Sequence, residues 1–409
     1  MSSHQMMETS LSTDQALPAR AANTRKTVLF VAKPAAYGGV EIHLLQLMRR
    51  FQESGVRLSL LCLGENVFSE RLDPEQTVDV ITGQRTPVSF WDWIRLFRAL
   101  RPDVVVFIYN WIWWFPSVAP VAAWLAGIRK LYAIHHALPP SVPPKVDGIA
   151  PHALLRRLIG KRARHVLSSM VRPDLWDKTI CVSNAVREAL VRDYRFPRKK
   201  TLTIRNGVSL SEFAPSVSDG VAVRNRLGLG SDEFVLVCAA RLTEQKGIDI
   251  LLRAIAKALR DGVHCKCIIL GDGPLRGQLL EQARELDLTG HVFFEGFQED
   301  VRPYLQASSA FVLTSHSEGG GGPLSVLEAM ACGLPCIVNG VGGSIEAVTH
   351  HVHGLVTPPG SPDAVADAIS YLATHPQERA HMGQMARARA CDAFDIEDAM
   401  SDLRRVILS

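Results

Sequence analysis

The chain has 409 residues, 47% apolar and 21% charged, a globular composition long enough for two or three domains with cores of their own. A disordered, collagen-like or disulfide-dense protein is excluded, since 30 glycines show no period of three and eight cysteines are sparse. The net charge is only +4, but residues 151–205 hold fourteen Lys/Arg against four Asp/Glu, so an anionic partner, or else a solvated basic face, is expected there.

Residues 1–26 are polar, lack the apolar core of a secretory signal and read as a disordered tail. Cys265 and Cys267 flank a lysine, and Cys332 and Cys336 bracket Gly-Leu-Pro. Neither pair has zinc-ligand spacing, so buried, reduced thiols in a cytosolic compartment are expected. Short apolar runs then alternate with longer amphipathic stretches. Residues 28–31, 58–63, 78–81, 104–108 and 131–135 read as strands, and 40–50 and 90–100 as helices, the second capped by Ser89. No charge falls between Val104 and Ile128, a span long enough to cross a bilayer. Asn110, Pro116 and Pro120 argue instead for a strand, a loop and an Ala-rich helix over 117–126. The loop, Trp111-Ile112-Trp113-Trp114-Phe115, suits either a satellite core or an acceptor or membrane-interface contact.

A Pro-rich loop leads into a basic amphipathic helix over 152–170, where Leu154, Leu155, Leu158 and Ile159 interleave with Arg156, Arg157, Lys161, Arg162 and Arg164. Such a helix can lie on an anionic membrane surface. Strands at 179–182 and 201–204 and a helix at 184–194 finish the first half. Asn206-Gly207 is a turn and 214–220 a linker. The second half repeats the alternation, with strands at 234–238, 265–270, 292–294, 310–313 and 336–338 and helices at 248–259, 275–286, 301–307 and 325–331. A last helix at 396–408 has no strand after it. The expected fold is α/β, two doubly wound Rossmann-like domains facing a cleft, at 27–210 and 221–390. Ligands of such sheets bind beyond the carboxyl ends of the strands.

The chemistry-bearing residues cluster at those ends. Gly38-Gly39 lies between the first strand and first helix and suits either phosphate approach or a tight turn. Arg241 and Lys246 straddle a strand end and a helix start, where a fork and a point charge can grip a diphosphate. Gly271-Asp272-Gly273-Pro274 resembles a dinucleotide fingerprint but has the wrong spacing for one. Glu318, four glycines, Pro323, Leu324, Ser325 and Glu328 form a glycine loop before a helix, bracketed by two carboxylates. The loop suits an anion, and the carboxylates suit sugar hydroxyls. His135-His136 ends a strand facing the cleft, whereas His350, His351 and His353 read as surface histidines without a metal constellation.

Taken in order, these segments resemble the retaining family-4 glycosyltransferases of the GT-B fold. The resemblance runs from about Val28 to about Leu408. It is carried by Gly38-Gly39-Val40-Glu41, Arg101-Pro102-Asp103, His135, Val182-Ser183-Asn184, Asn206-Gly207-Val208 with Phe213, Arg241-Leu242 with Lys246-Gly247, and Gly271-Asp272-Gly273-Pro274. Glu328-Ala329-Met330-Ala331-Cys332-Gly333-Leu334-Pro335 and Gly342-Gly343-Ser344-Ile345-Glu346 complete it. The resemblance implies a retaining glycosyltransferase moving a hexose-type sugar from a nucleotide sugar to a lipid-linked or polysaccharide acceptor. It places Arg241 and Lys246 on the diphosphate, Glu328 on the ribose and Glu318 and His135 on the transferred sugar. Gly38, Gly39, Gly271, Gly273, Gly319, Gly322, Leu324 and Ser325 line the donor. It implies no cofactor and no protein-bound metal, since the cations take that charge role, and a helix at 391–409 crossing back onto the first domain. Expected partners are the donor, a glycan or lipid-linked acceptor and an anionic membrane surface through 152–170; the basic stretch has no nucleic-acid motif. The location implied is cytoplasmic, peripheral on the cytosolic membrane face. The chain departs from the family in one place. Nine residues separate Glu318 from Glu328 where the family has seven, and family spacing would land on Gly320. The expectation is two inserted glycines, with Glu318 keeping its role. The alternatives are a nucleotide-sugar epimerase on the same fold and a non-catalytic nucleotide-sugar-binding protein.

Overall fold

The computed structural model describes residues 26–33, 39–63, 78–81, 87, 89–109, 118–137 and 175–409. Residues 1–25 of the expected tail, Gly38, the aromatic loop and the basic helix at 152–170 lie outside these residues, whereas Lys26, assigned to the tail, is tied to the fold by Arg57 N–H donating to its carbonyl at 2.9 Å. The first sheet has seven parallel strands: β1 (Thr27–Ala32), β2 (Arg57–Cys62), β3 (Val78–Ile81), β4 (Val104–Tyr109), β5 (Lys130–His135), β6 (Lys178–Cys181) and β7 (Thr201–Thr203). Their spatial order is β3-β2-β1-β4-β5-β6-β7. The second sheet has six, β8 (Val235–Ala239), β9 (Lys266–Leu270), β10 (Val292–Gly296), β11 (Ala310–Leu313), β12 (Cys336–Asn339) and β13 (Gly354–Thr357), in the order β10-β9-β8-β11-β12-β13. The order reverses between β1 and β4 and again between β8 and β11. Those two switch points are where open α/β sheets leave a crevice.

Strand identity follows from composition. In β4 all six residues are apolar and all are buried, as a strand covered on both faces requires. Alternate residues of β1 supply two cores. Val28 and Phe30 pack with α1 (Gly39–Gln52), and Leu29 and Val31 face Trp93, Phe97 and Trp176. Trp93 and Phe97 belong to α2 (Phe90–Leu100), which opens on a capping box. Ser89 Oγ accepts from Asp92 N–H at 3.2 Å, and the Asp92 carboxylate accepts from Ser89 N–H at 3.0 Å. Such a cap contributes about 1 kcal/mol. The uncharged span from Val104 to Ile128 resolves into β4 and α3 (Val118–Leu125). No helix among the described residues is long and apolar enough to cross a membrane. The eight cysteines are free, seven of them buried.

After β6 comes α4 (Asn184–Asp193). The stretch at 214–220 is not a linker throughout, because α5 (Val217–Leu227) begins inside it. Gly220 sits against α8 (Arg302–Gln306), where a Cβ would lie 2.5 Å from the Gln306 carbonyl oxygen. The second sheet is flanked by α6 (Ile248–Arg260), α7 (Arg276–Glu285), α9 (Leu324–Ala331), the short α10 (Ser344–Ala347), α11 (Pro362–Thr374) and α12 (Pro376–Ala393). The final helix, α13 (Ile396–Leu408), buries Ile396, Met400, Leu403 and Ile407 in the same core as Val28 and Phe30. A parallel bridge pairs Val208 with Asp395 just before it. A Cβ on Gly207 would stand 2.3 Å from Ile396 Cα, so only glycine admits the helix start there.

Candidate functional site

The site begins with two loops at the second switch point. After β8 the chain makes a short helical turn over Glu244–Lys246 and enters α6 through Gly247, whose φ of +60° suits glycine. A Cβ on Gly247 would lie 2.3 Å from the Thr314 carbonyl oxygen, and Thr314 Oγ donates to the Gly247 carbonyl at 2.8 Å. The loop after β11 is joined to this turn by His316 N–H donating to Gln245 O at 2.9 Å and Gln245 Nε2 donating to Ser317 O at 3.0 Å. Asn339 Nδ2 holds the Thr314 and Ser315 carbonyls from the neighbouring strand. Lys246 and Glu318 are thereby delivered to one point, with Nζ 2.6 Å from Oε1. Ser315 Oγ donates to the same carboxylate oxygen. The nine-residue spacing therefore leaves Glu318 beside Lys246 rather than swinging it away.

Arg241 begins the same loop and is exposed, with no ion pair among the described residues. Its backbone is held by Leu242 N–H donating to Asp272 O at 2.9 Å and Leu275 N–H donating to Leu242 O at 3.1 Å. Gly271 and Gly273 allow this. A Cβ on either would stand within 2.5 Å of the Ala240 or Leu242 carbonyl oxygen. Their closest neighbour in the protein is thus the Arg241 loop itself.

The glycine loop at 319–322 runs between the two halves of the chain. Gly320 N–H donates to His136 O at 3.0 Å, and a Cβ on Gly321 would meet Val182 and the Asn206 amide. On its other side Gly343 N–H donates to Gly319 O at 3.1 Å. The loop delivers α9, whose N-terminus no side chain caps. Its first residue, Leu324, faces Gly39, the first residue of α1, at 3.7 Å from a Cβ placed there. Two helix N-termini therefore confront each other across the cleft. On the α9 side the uncapped amides and the positive helix end suit an anion, while α1 carries the buried Glu41 in its own first turn. Gly322 packs on Leu327, and Ser325 lies half-buried in the first turn of α9.

Glu328 stands on the same helix, half-buried, and burial pushes its carboxyl up to about 7. His135 ends β5 and stacks on Tyr109, with ring centroids 4.8 Å apart. Burial lowers its pKa to about 3, so it is neutral near pH 7, and its Nε2 is buried without a partner. Among the described residues no group hydrogen-bonds that nitrogen, an uncommon state for a buried polar atom. Three further groups belong to this wall: the carbonyl of His136, expected at the cleft; Asn206 Oδ1, buried with no partner among the described residues; and His43, which was not anticipated and whose ring stands edge-on to His136 at 5.3 Å. Asn206 lay in a recognised turn, but nothing in the spacing points it at Gly321. No group of three or more metal-ligating side chains gathers among the described residues.

Comparisons with known proteins agree with this architecture. The sequence model described as Glycosyltransferase Family 4 matches residues 37–212, and that described as Glycosyl transferases group 1 matches residues 222–389. The chain belongs to the group 1/family 4 glycosyltransferases of the GT-B fold. It is 33% identical over 226 residues to a D-inositol 3-phosphate glycosyltransferase of Saccharomonospora viridis, covering 52% of this chain and 51% of that one. It is 30% identical over 195 residues to an Escherichia coli UDP-Gal:alpha-D-GlcNAc-diphosphoundecaprenol alpha-1,3-galactosyltransferase, covering 47% and 50% respectively. The match thus spans about half the length of these curated relatives. Among solved structures, Anabaena Alr3699/HepE in complex with UDP superposes with a TM-score of 0.75 at 23% identity, covering 93% of this chain and 99% of that one.

Proposed function

We propose that this chain is a retaining glycosyltransferase that moves a hexose-type sugar from a nucleotide sugar to a lipid-linked or polysaccharide acceptor. The observation that carries the reading is the meeting of Lys246 with Glu318, which begins the glycine loop leading into the uncapped N-terminus of α9. Cations and a helix end suit the diphosphate, and the carboxylate beside them suits the hydroxyls of the sugar it carries. In the transfer, the acceptor oxygen forms its bond to the anomeric carbon from the side the diphosphate leaves. The carbon–oxygen bond to the diphosphate breaks, and a phosphate oxygen takes the acceptor proton. Lys246, Arg241 and the helix end stabilise the departing charge where it develops. Glu328 accepts from the ribose hydroxyls, and the unpartnered Nε2 of His135 from a sugar hydroxyl. Relatives whose names include UDP and a diphosphoundecaprenol acceptor support this choice of donor and acceptor.

A lipid-linked acceptor calls for approach to a membrane face. The outward side of α3 supports that: Val118, Trp124 and Leu125 are exposed apolar residues, with the Arg129 guanidinium 4.9 Å over Trp124. Trp91, Arg95 and Arg98 follow one another on the exposed side of the adjoining α2. Tryptophan and arginine together suit an anionic headgroup layer. The reading is tested by incubating the protein with nucleotide sugars and a polyprenyl-diphosphate-linked sugar in EDTA and reading the anomeric proton coupling of the product. An α product from an α-linked donor supports retention. Inversion, or conversion of the donor without any acceptor, refutes it. Flotation with anionic vesicles tests the membrane contact, and absence of binding at low salt removes it.

A further inference from the structure

Glu346 closes the Gly342-Gly343-Ser344-Ile345-Glu346 segment, which the donor site does not use. It stands on α10 of the second half, yet its carboxylate serves the first. Ala185 N–H donates to Oε1 at 2.7 Å and Asn184 N–H to Oε2 at 3.2 Å. These are the opening amides of α4, which has no earlier turn to bond them. Ser183 Oγ caps the next free amide, that of Val186, at 3.1 Å. The start of α4 is thus completed half by its own cap and half by a side chain from across the cleft. Charge, helix end and two-point geometry all favour the contact.

The same segment is joined to the donor loop. A Cβ on Gly342 would stand 2.5 Å from the Glu318 carbonyl oxygen, and one on Gly343 would stand 2.0 Å from that of Gly321. Backbone therefore lies on backbone here, with Gly343 N–H donating to Gly319 O at 3.1 Å. A shift of the Glu318 loop moves this turn, and the turn carries α10 and Glu346. We infer that Glu346 is a positioning residue. It latches the two domains by capping α4, and it ties that closure to the placement of the loop bearing Glu318. Both carboxylate oxygens of Glu346 are engaged by α4 amides, so it acts through the distance between the two walls.

The latch rests on geometry alone, while its effect on transfer rests on the function proposed above. The experiment is small-angle scattering of the full chain without ligand, for the wild type, Glu346→Ala and Glu346→Gln, each first shown to be folded by circular dichroism. Glu346→Ala is expected to lower the closed-to-open ratio roughly tenfold and to raise the radius of gyration. Glu346→Gln keeps one acceptor without the charge and is expected to fall between. In transfer assays kcat/KM is expected to fall roughly tenfold, and to recover in part with Glu346→Gln. A folded Glu346→Ala protein that scatters as the wild type does overturns the latch. If the scattering differs but the wild type transfers no sugar, the proposed function fails and the latch stands.

Discussion

Lys246 Nζ lies 2.6 Å from Glu318 Oε1, although 72 positions separate the two in the chain and their side chains are only 16% and 6% exposed. Each charge of a pair this sheltered has given up most of its hydration and depends on its partner, so removing one leaves the other in an unfavourable setting. In the proposed function the pair marks where a diphosphate and the sugar it carries meet the protein.

Lys246→Ala is therefore expected to act twice. It lowers transfer at least a hundredfold by removing charge from the leaving diphosphate. It also destabilises the fold by about 2 kcal/mol, by stranding the Glu318 carboxylate. Adding Glu318→Gln should recover most of the stability and none of the transfer. Urea melts and initial rates on the same three proteins separate the two effects.

The two extra glycines are expected to be required. Deleting Gly319 and Gly320 restores the family's spacing but removes the Gly320–His136 hydrogen bond, and shortens the loop that holds Glu318 against Lys246. The deletion should cost transfer as much as Glu318→Ala does. A deletion variant with wild-type rates would show that Gly320 marks the position the acid ought to occupy.

Glu328 gives a pH signature. Its folded carboxyl titrates near 7 against an ordinary 4.5, so the folded chain binds the proton more tightly than the unfolded chain does. Stability from this group is therefore present below about 4.5 and lost as pH rises to about 7. Glu328→Gln should flatten that part of a stability profile measured by urea melts from pH 4.5 to 8. Donor affinity through the ribose should rise towards pH 8, where the carboxylate accepts fully.

His43 works in the opposite sense. Burial lowers its pKa to about 4, and His135 and His136 are likewise depressed. The unfolded chain binds these protons first, so stability should fall as pH drops below 6.5, by about 1.4 kcal/mol per unit for each group. Both ring nitrogens of His43 are buried without partners. His43→Leu should thus hold its stability at pH 7 and lose part of the acid slope. A variant whose melts keep the full slope would assign it to other groups.

How much of this was legible in the sequence depended on how local the cause was. β4 announces itself because six consecutive apolar residues suit a strand buried on both faces. α12 does not, because its buried face is built from Met382, Gly383, Ala386 and Ala390, mostly residues too small to form a conspicuous stripe. β13 is four residues long and hides behind Gly354. At the site, the residue types at the strand ends were readable, and Lys246 and Arg241 lie on one loop as expected. That Glu318 reaches Lys246 was not readable, since the loop's course is set by the Gly342-Gly343 backbone and the His136 carbonyl. For Gly271 and Gly273 the need for a missing side chain was visible, but the atoms it spares are those of the Arg241 loop. Tertiary contacts of this kind leave no period in the sequence.

The most direct test of the account is a thermal-shift titration with UDP, GDP, ADP and TDP, in EDTA, on the wild type and on Lys246→Ala. A ligand held only by the folded state must raise the melting temperature. The account predicts that one nucleoside diphosphate raises it in the wild type without any metal, and that the shift disappears in Lys246→Ala. A wild type that responds to none of them, or a variant that responds as strongly as the wild type, would contradict it.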